Sequence, residues 1–248
     1  MQRPLASKRA LVTGGSRGIG AAIALRLARE GADVALTWVS RPEQAEATAS
    51  AARAFGVRAL AIQADAADAQ AVAAAVERTA AELGGLDILV NNAGVARIAP
   101  LAALSLEDLD RTFAVNVRAV FAATQAALPH MGEGGRIVNI GSCNAERMPV
   151  AGGAIYAMSK AALVGLVKGL ARDLGPRGIT VNNVQPGPVD TDMNPADSAF
   201  GELLRSRFLA LPRYASADEI AAMVAYLVGP EAGYVTGASL TIDGGFTA

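Results

Sequence analysis

Short runs of apolar residues alternate along this chain with longer stretches in which apolar positions recur every three or four residues. The runs predict strands buried on both faces, and the stretches predict amphipathic helices. Arg9 to Thr13 is the first run, stopped at Gly14. It leads into a helix with Ile19, Ile23 and Leu27 on one face and Gly31 at its end. Asp33 to Val39 and Glu43 to Phe55 repeat the unit, as do Val57 to Gln63 and Ala69 to Leu83. Gly85 to Val90 is a fourth strand, and Ser105 with Asp108 forms a capping pair for one long helix reaching about Leu128. Arg136 to Ile140 is a fifth strand, Ile155 to Leu174 a long helix, and Gly178 to Val184 a sixth strand. Residues 191–211 read as an irregular insertion with helical parts that fits a substrate lid. Ser216 and Glu219 cap a last helix with Ile220, Met223, Val224 and Leu227 inward, and Ser239 to Ile242 is a seventh strand.

No linker, repeat or charge block interrupts this alternation. The expectation is a single α/β domain over residues 1–248, a Rossmann-type doubly wound parallel sheet of seven strands with helices on both faces. Hydrophobic residues are 52% of the chain and aromatics only 4%, so its core must be built from Ala, Val, Leu and Ile. A net charge of −1 argues against a nucleic acid polymer as partner. The segment from Met1 to Arg9 lacks the apolar centre of a secretory leader. No apolar run reaches the ~18 uncharged residues of a membrane span, so the expectation is a cytoplasmic protein without a membrane partner. One cysteine, Cys143, leaves no intramolecular disulfide, and with one histidine, His130, no metal site is expected. His130 sits at a helix end and reads as a solvent-exposed group or one facing the helix dipole.

The turn after the first strand carries Gly14, Ser16, Arg17, Gly18, Ile19 and Gly20. Strand, glycine turn and helix form the opening of a dinucleotide-binding unit, where backbone N–H groups meet a pyrophosphate. The end of the second strand, Trp38 to Arg41 with Ser40 between, has no carboxylate for a ribose 2′-hydroxyl. Arg17 and Arg41 could instead converge on an extra phosphate, which favours NADP(H) over NAD(H); the alternative is two solvated arginines. Asp65 is either a helix N-cap or a group beside an adenine ring. Asn92, Ala93 and Gly94 end the fourth strand and Pro186 and Gly187 the sixth, on the ligand side of such a sheet.

Tyr156 and Lys160 stand four apart on one helix and share a face, with Ser142 a loop upstream. A nearby ammonium favours a phenolate, and a tyrosine tuned this way can pass a proton to or from a substrate oxygen. Asn116 lies inside the long fourth helix, a poor helical choice that fits a kink, an inter-helix bond or a held water.

Thr13 to Gly20, Asn91 to Gly94, Asn116, Ser142, Tyr156 with Lys160, and Pro186-Gly187 together resemble the short-chain dehydrogenase/reductase family over essentially the whole chain. The resemblance implies Tyr156 as general acid/base, Ser142 holding the substrate oxygen, Lys160 on the nicotinamide ribose and Asn116 holding a relay water. It also implies Asn92 and Gly94 lining the cofactor, with Val189 and Thr191 at its nicotinamide end. The interval from Ser142 to Tyr156 is one residue longer than in 3-oxoacyl-type reductases, which bears on pocket shape. Residues 144–152 and 184–196 are similar to a subgroup described both as NADPH-dependent carbonyl reductases and as cyclic-di-GMP-binding biofilm-dispersal proteins. The implied activity is reduction of ketones or aldehydes such as keto esters and aryl ketones, in a homotetramer acting on a small molecule. The alternatives are a cyclic-di-GMP or other nucleotide-binding regulator and an NAD-dependent alcohol dehydrogenase. Asn144, Met148 and Met193 are candidate substrate contacts, alongside Val95, Arg97, Pro188 and Phe200, with Cys143 as a pocket wall.

Overall fold

The structure, a computed structural model, describes residues 3–248; Met1 and Gln2, the start of the segment read as lacking a leader, lie outside the described residues. Among the described residues seven strands form one sheet: β1 (Arg9–Val12), β2 (Asp33–Trp38), β3 (Ala59–Gln63), β4 (Ile88–Asn91), β5 (Arg136–Ile140), β6 (Thr180–Pro186) and β7 (Ser239–Ile242). Their order is β3-β2-β1-β4-β5-β6-β7, with every neighbour parallel. The helices are α1 (Gly18–Arg29), α2 (Pro42–Arg53), α3 (Ala69–Leu83), α4 (Leu106–Phe113), α5 (Ala119–Ala127), α6 (Ala154–Leu174), α7 (Ala199–Arg207) and α8 (Ala217–Val228).

Successive strand residues point to opposite faces, and this alternation sorts the core into two layers. Ala10, Val12, Val34 and Leu36 pack with Ile23 and Leu27 of α1, Ala49 of α2 and Ile220 of α8. Leu11, Ala35, Leu89 and Ile137 face the other way, onto Val76 of α3, Ala123 of α5 and Val167 of α6. Both faces are therefore covered, which is why the strands read as continuous apolar runs. The strand order reverses between β1 and β4, and ligands of such sheets bind at the carboxyl ends of the strands beside that reversal.

The predicted boundaries shift where glycine takes a left-handed backbone. Gly84 and Gly85 have φ of 81° and 134°, so β4 starts at Ile88 rather than Gly85. Gly178, at φ 68°, delays β6 to Thr180, and β6 then runs on through Pro186. The N-cap of α3 is Asp68, whose carboxylate accepts from the Gln70 and Ala71 amides; Asp65 closes a turn by accepting from the Ala67 amide at 2.8 Å. The capping boxes at Ser105/Asp108 and Ser216/Glu219 both form.

The single helix expected from Ser105 to Leu128 is instead three pieces: α4, a π-helical turn over Ala114–Arg118, and α5. The π turn inserts a residue's worth of rotation and widens the helix at Asn116, so that its amide is free to bond outside the helix. With its 3-10 extension, α6 (Ala154–Arg177) has the length and mean hydropathy (1.4) of a membrane span. Its inner face packs on β6 and brings Lys160 beneath the end of β5.

Candidate active site

The glycine turn is held open from below. The Thr37 hydroxyl accepts from the Gly14 amide at 2.9 Å, and Gly14 has a φ of 65°. Asn92 Nδ2 donates to the Thr13 and Gly14 carbonyls at 2.9 and 3.0 Å, and the Thr13 hydroxyl accepts from the Asn92 and Ala93 amides. A Cβ on Gly20 would meet the Gly14 carbonyl and lie 2.5 Å from Asn92 Nδ2, so only glycine fits. Arg17 stands at the N-cap of α1 with no side-chain capping bond, and the first turn holds no acid. The N-terminal amides of α1 therefore face outward, as an anion site requires.

On the other side of the switch point, β5 delivers Ser142 and α6 delivers Tyr156 and Lys160. Ser142 is buried, and its Oγ accepts from the Asn144 amide at 3.1 Å, which starts the turn over Cys143–Ala145. Lys160 is also buried; its Nζ donates to the Ile140 carbonyl at 2.8 Å and lies 5.9 Å from the centre of the Tyr156 ring. Gly94 lies beside both Lys160 Nζ and Asn116 Oδ1, which a Cβ there would meet in ordinary contact at 3.4 and 3.5 Å.

Asn116 ties these elements together. Its Oδ1 accepts from the Val95 amide, and its Nδ2 donates to the Val95 carbonyl and to Ser159 Oγ, all at 2.9 Å. Ser159 Oγ in turn donates to the Tyr156 carbonyl at 2.8 Å. Of the three readings open for Asn116, the geometry displays the inter-helix bond, at a π turn. Both amide hydrogens are used, leaving a lone pair on Oδ1 for a water.

Burial dominates the electrostatics. It pushes the Tyr156 phenol above its ordinary value, with the Ser142 hydroxyl opposing that rise. It lowers the Lys160 ammonium to about 8. The ammonium that was expected to lower the tyrosine is itself pushed toward its neutral form, and Tyr156 moves the other way. A phenol so raised is held as the acid. Cys143 is likewise buried, with its thiol pushed up to about 12, which suits a wall and not a nucleophile.

The remaining expected residues fall around this centre unevenly. Gly187 closes on β7, where a Cβ would lie 2.6 Å from the Asp243 Cα, and its amide donates to the Ile242 carbonyl at 3.0 Å. Val189 bridges to Ala215, and the Thr191 methyl lies over Gly18. Met148 packs on Gly153 at the entrance to α6, whereas Met193 and Phe200 are exposed. His130 pairs with Glu77 at 2.8 Å, away from the site. Arg17 and Arg41 do converge, and what they meet is Asp192: Arg17 Nη1 lies 3.1 Å and Arg41 Nη1 3.8 Å from the same oxygen. Asp192 was not singled out from the sequence, because a lone acid in an aperiodic loop carries no pattern. Nor was Arg147, which donates to the Phe246 and Ala248 carbonyls and ties the loop after Ser142 to the C-terminal segment.

An NADP(H) molecule fits these residues: a glycine cradle that a Cβ would fill, outward helix amides, and two converging guanidinium groups able to hold an added phosphate. A family model described as enoyl-(acyl carrier protein) reductase matches residues 14–247. The chain is 48% identical over 241 residues to the cyclic-di-GMP-binding biofilm dispersal mediator protein of Escherichia coli (strain K12), covering 97% of this chain and 98% of the relative. It is 41% identical over 244 residues to the 3-oxoacyl-(acyl-carrier-protein) reductase FabG of Staphylococcus aureus, covering 96% and 98%. A crystal structure of a short-chain dehydrogenase from Burkholderia cenocepacia in complex with NADP superposes with a TM-score of 0.97 at 60% identity, covering 99% of this chain and all of that one.

Proposed function

This chain belongs to the short-chain dehydrogenase/reductase family, and from that premise we propose that it is an NADPH-dependent reductase of ketone and aldehyde carbonyls. The observation that carries the reading is the meeting of Ser142, Tyr156, Lys160 and Asn116 beside the glycine cradle. The cofactor, when bound, supplies the hydride. The chain's own residues do the rest. Ser142 and Tyr156 hydrogen-bond the carbonyl oxygen, and Tyr156 gives it a proton as the alkoxide develops. Asn116, through Ser159, fixes the first turn of α6 and so the direction of the Tyr156 hydroxyl. Lys160 binds the nicotinamide ribose. Gly14, Ser16, Gly18, Ile19, Gly20, Asn92, Ala93 and Gly94 line the dinucleotide, with Trp38, Ser40 and Asp65 toward its adenosine and Pro186, Gly187, Val189 and Thr191 toward its nicotinamide. Burial keeps the Tyr156 phenol protonated, so a proton is in place for the carbonyl oxygen.

Residues 191–211, with α7, form the substrate lid, and Asn144, Met148 and Met193 meet the substrate as it closes. A groove of about 870 Å³ between α4, the π turn, α5 and α6, lined by Phe113, Val117, Phe121 and Leu166, is the face on which we place the contacts of a homotetramer. The test of function is the initial rate of cofactor oxidation with a panel of keto esters and aryl ketones, NADPH against NADH. Turnover with NADPH supports the reading; no turnover with either, despite cofactor binding, overturns it. The 48% identity to a cyclic-di-GMP-binding protein favours a second reading, a nucleotide-binding regulator, which calorimetric titration with cyclic-di-GMP decides.

Arg17 and Arg41 hold the cofactor's 2′-phosphate. A charge-assisted bond lost from such a phosphate costs about 1.5–3 kcal/mol, or roughly 10- to 150-fold in affinity. Arg41→Ala should therefore weaken NADPH by about tenfold or more and NADH by less than about twofold, read as equilibrium dissociation constants. Equal loss for both would refute the 2′-phosphate role.

A further inference from the structure

Arg17 comes from the glycine turn, Arg41 from the turn after β2, and Asp192 from the far side of the sheet, after β6. The three meet at one carboxylate oxygen, 3.1 Å from Arg17 and 3.8 Å from Arg41. The segment that carries Asp192 is braced independently of this contact. The Asp190 carboxylate accepts from the Ala196 amide at 3.0 Å, and the Thr191 carbonyl accepts from the Asn194 amide at 3.0 Å. The Tyr214 hydroxyl reaches the Asn194 side chain at 3.4 Å, and the Thr191 methyl rests over Gly18, with 3.4 Å left for a Cβ. The carboxylate is thus presented to the arginines by a built turn.

We propose that Asp192 is a specificity-determining residue that competes with the cofactor's 2′-phosphate for Arg17 and Arg41, so that NADPH and not NADH must displace it. The inference rests on the reading of those arginines as the 2′-phosphate pair. Arg17 Nη1 donates to the Asp192 carboxylate and Arg41 lies at ion-pair distance from the same oxygen, so a phosphate that draws both guanidinium groups onto itself must draw them off that carboxylate. A 2′-hydroxyl makes no such demand. All three side chains are about half exposed, so the competition is a solvated one and its effect is modest.

The experiment measures equilibrium binding, with no turnover, of NADPH, NADH, adenosine 2′,5′-bisphosphate and 5′-AMP to the full chain and its variants. Asp192→Asn should tighten NADPH and the bisphosphate by about two- to fivefold and leave NADH and AMP within about 1.5-fold. Asp192→Glu, which keeps the charge, should stay close to the parent. In an Arg17→Ala/Arg41→Ala background the gain from Asp192→Asn should vanish. If Arg41→Ala weakens NADPH selectively while Asp192→Asn leaves it unchanged or weaker, the competition is overturned and the phosphate reading stands. If Asp192→Asn tightens all four ligands alike, a general charge effect replaces the competition. If Arg41→Ala weakens NADPH and NADH equally, the phosphate reading itself fails, and the competition with it.

Discussion

Tyr156→Phe should lower kcat by two or more orders of magnitude, within the ~10²–10⁴ that a positioned proton donor contributes. The ring is retained, so the packing at the entrance to α6 is kept. The bonds that fix this turn, from Asn116 through Ser159 to the Tyr156 carbonyl, do not use the hydroxyl. The fold, read by circular dichroism, and the NADPH dissociation constant should therefore stay close to the parent. The loss should appear in kcat rather than in binding, because the proton is needed only as the carbonyl oxygen gains charge. Near-normal turnover would remove Tyr156 from its role.

Lys160→Met separates function from stability. Loss of the buried ammonium should lower kcat/KM by about two orders of magnitude, a charge-stabilising contact of the kind that preorganised sites supply. The stability effect has the opposite or no sign. Burial brings the ammonium down to about 8 from an ordinary value of 10.5. Between those values the unfolded chain binds more protons than the folded one, so this group's contribution to stability rises with pH from about 8 to about 10.5. Below pH 8 it is a penalty of roughly 3 kcal/mol at pH 7, from 1.36 kcal/mol per pKa unit. Against that stands the lost bond to the Ile140 carbonyl, about 1–3 kcal/mol once the acceptor is left unpaired. The variant should unfold at the same temperature as the parent or a few degrees higher at pH 7, and this advantage should shrink by pH 9–10. Parent kcat/KM for reduction should fall as pH rises through about 8, where Lys160 loses its charge, and the variant should lack that limb. A variant melting well below the parent at pH 7, or keeping the limb, would contradict the assignment.

Much of the architecture is legible because burial on both faces leaves an unmistakable record: the runs at Ala10 to Val12 and Val34 to Leu36 can only be strands of a covered sheet. The late starts of β4 and β6 share one cause. The apolar pattern runs back through Gly85 and Gly178, but their positive φ places each in the turn before. The π turn escaped because it offsets the helical period by a fraction of a turn, less than the tolerance of an apolar pattern over eight or nine residues. Asn116 was its one trace, a residue too poor for a helix to be there without a use. The reactive residues are legible through their spacing on α6 and at strand ends. Their electrostatics are not, since the direction of Tyr156 depends on how many protein atoms crowd it, which spacing does not record. Contacts made across the sheet, such as Asp192 on Arg17 and Arg147 on the C-terminal segment, join positions 175 and about 100 residues apart and leave no local signature.

The central claim is that a hydride passes from NADPH to a carbonyl carbon while Tyr156 supplies the proton. It is tested most directly with NADPH deuterated at the nicotinamide C4 position and the best carbonyl compound of the panel, with the alcohol product analysed by mass spectrometry. One deuterium is expected on the carbinol carbon from NADPH deuterated on one face of C4, and none in the product from NADPH deuterated on the opposite face. The Tyr156→Phe variant should form labelled alcohol at less than about a hundredth of the parent rate. Bound but unoxidised NADPH across the whole panel, or an alcohol that carries no label from either face, would contradict it.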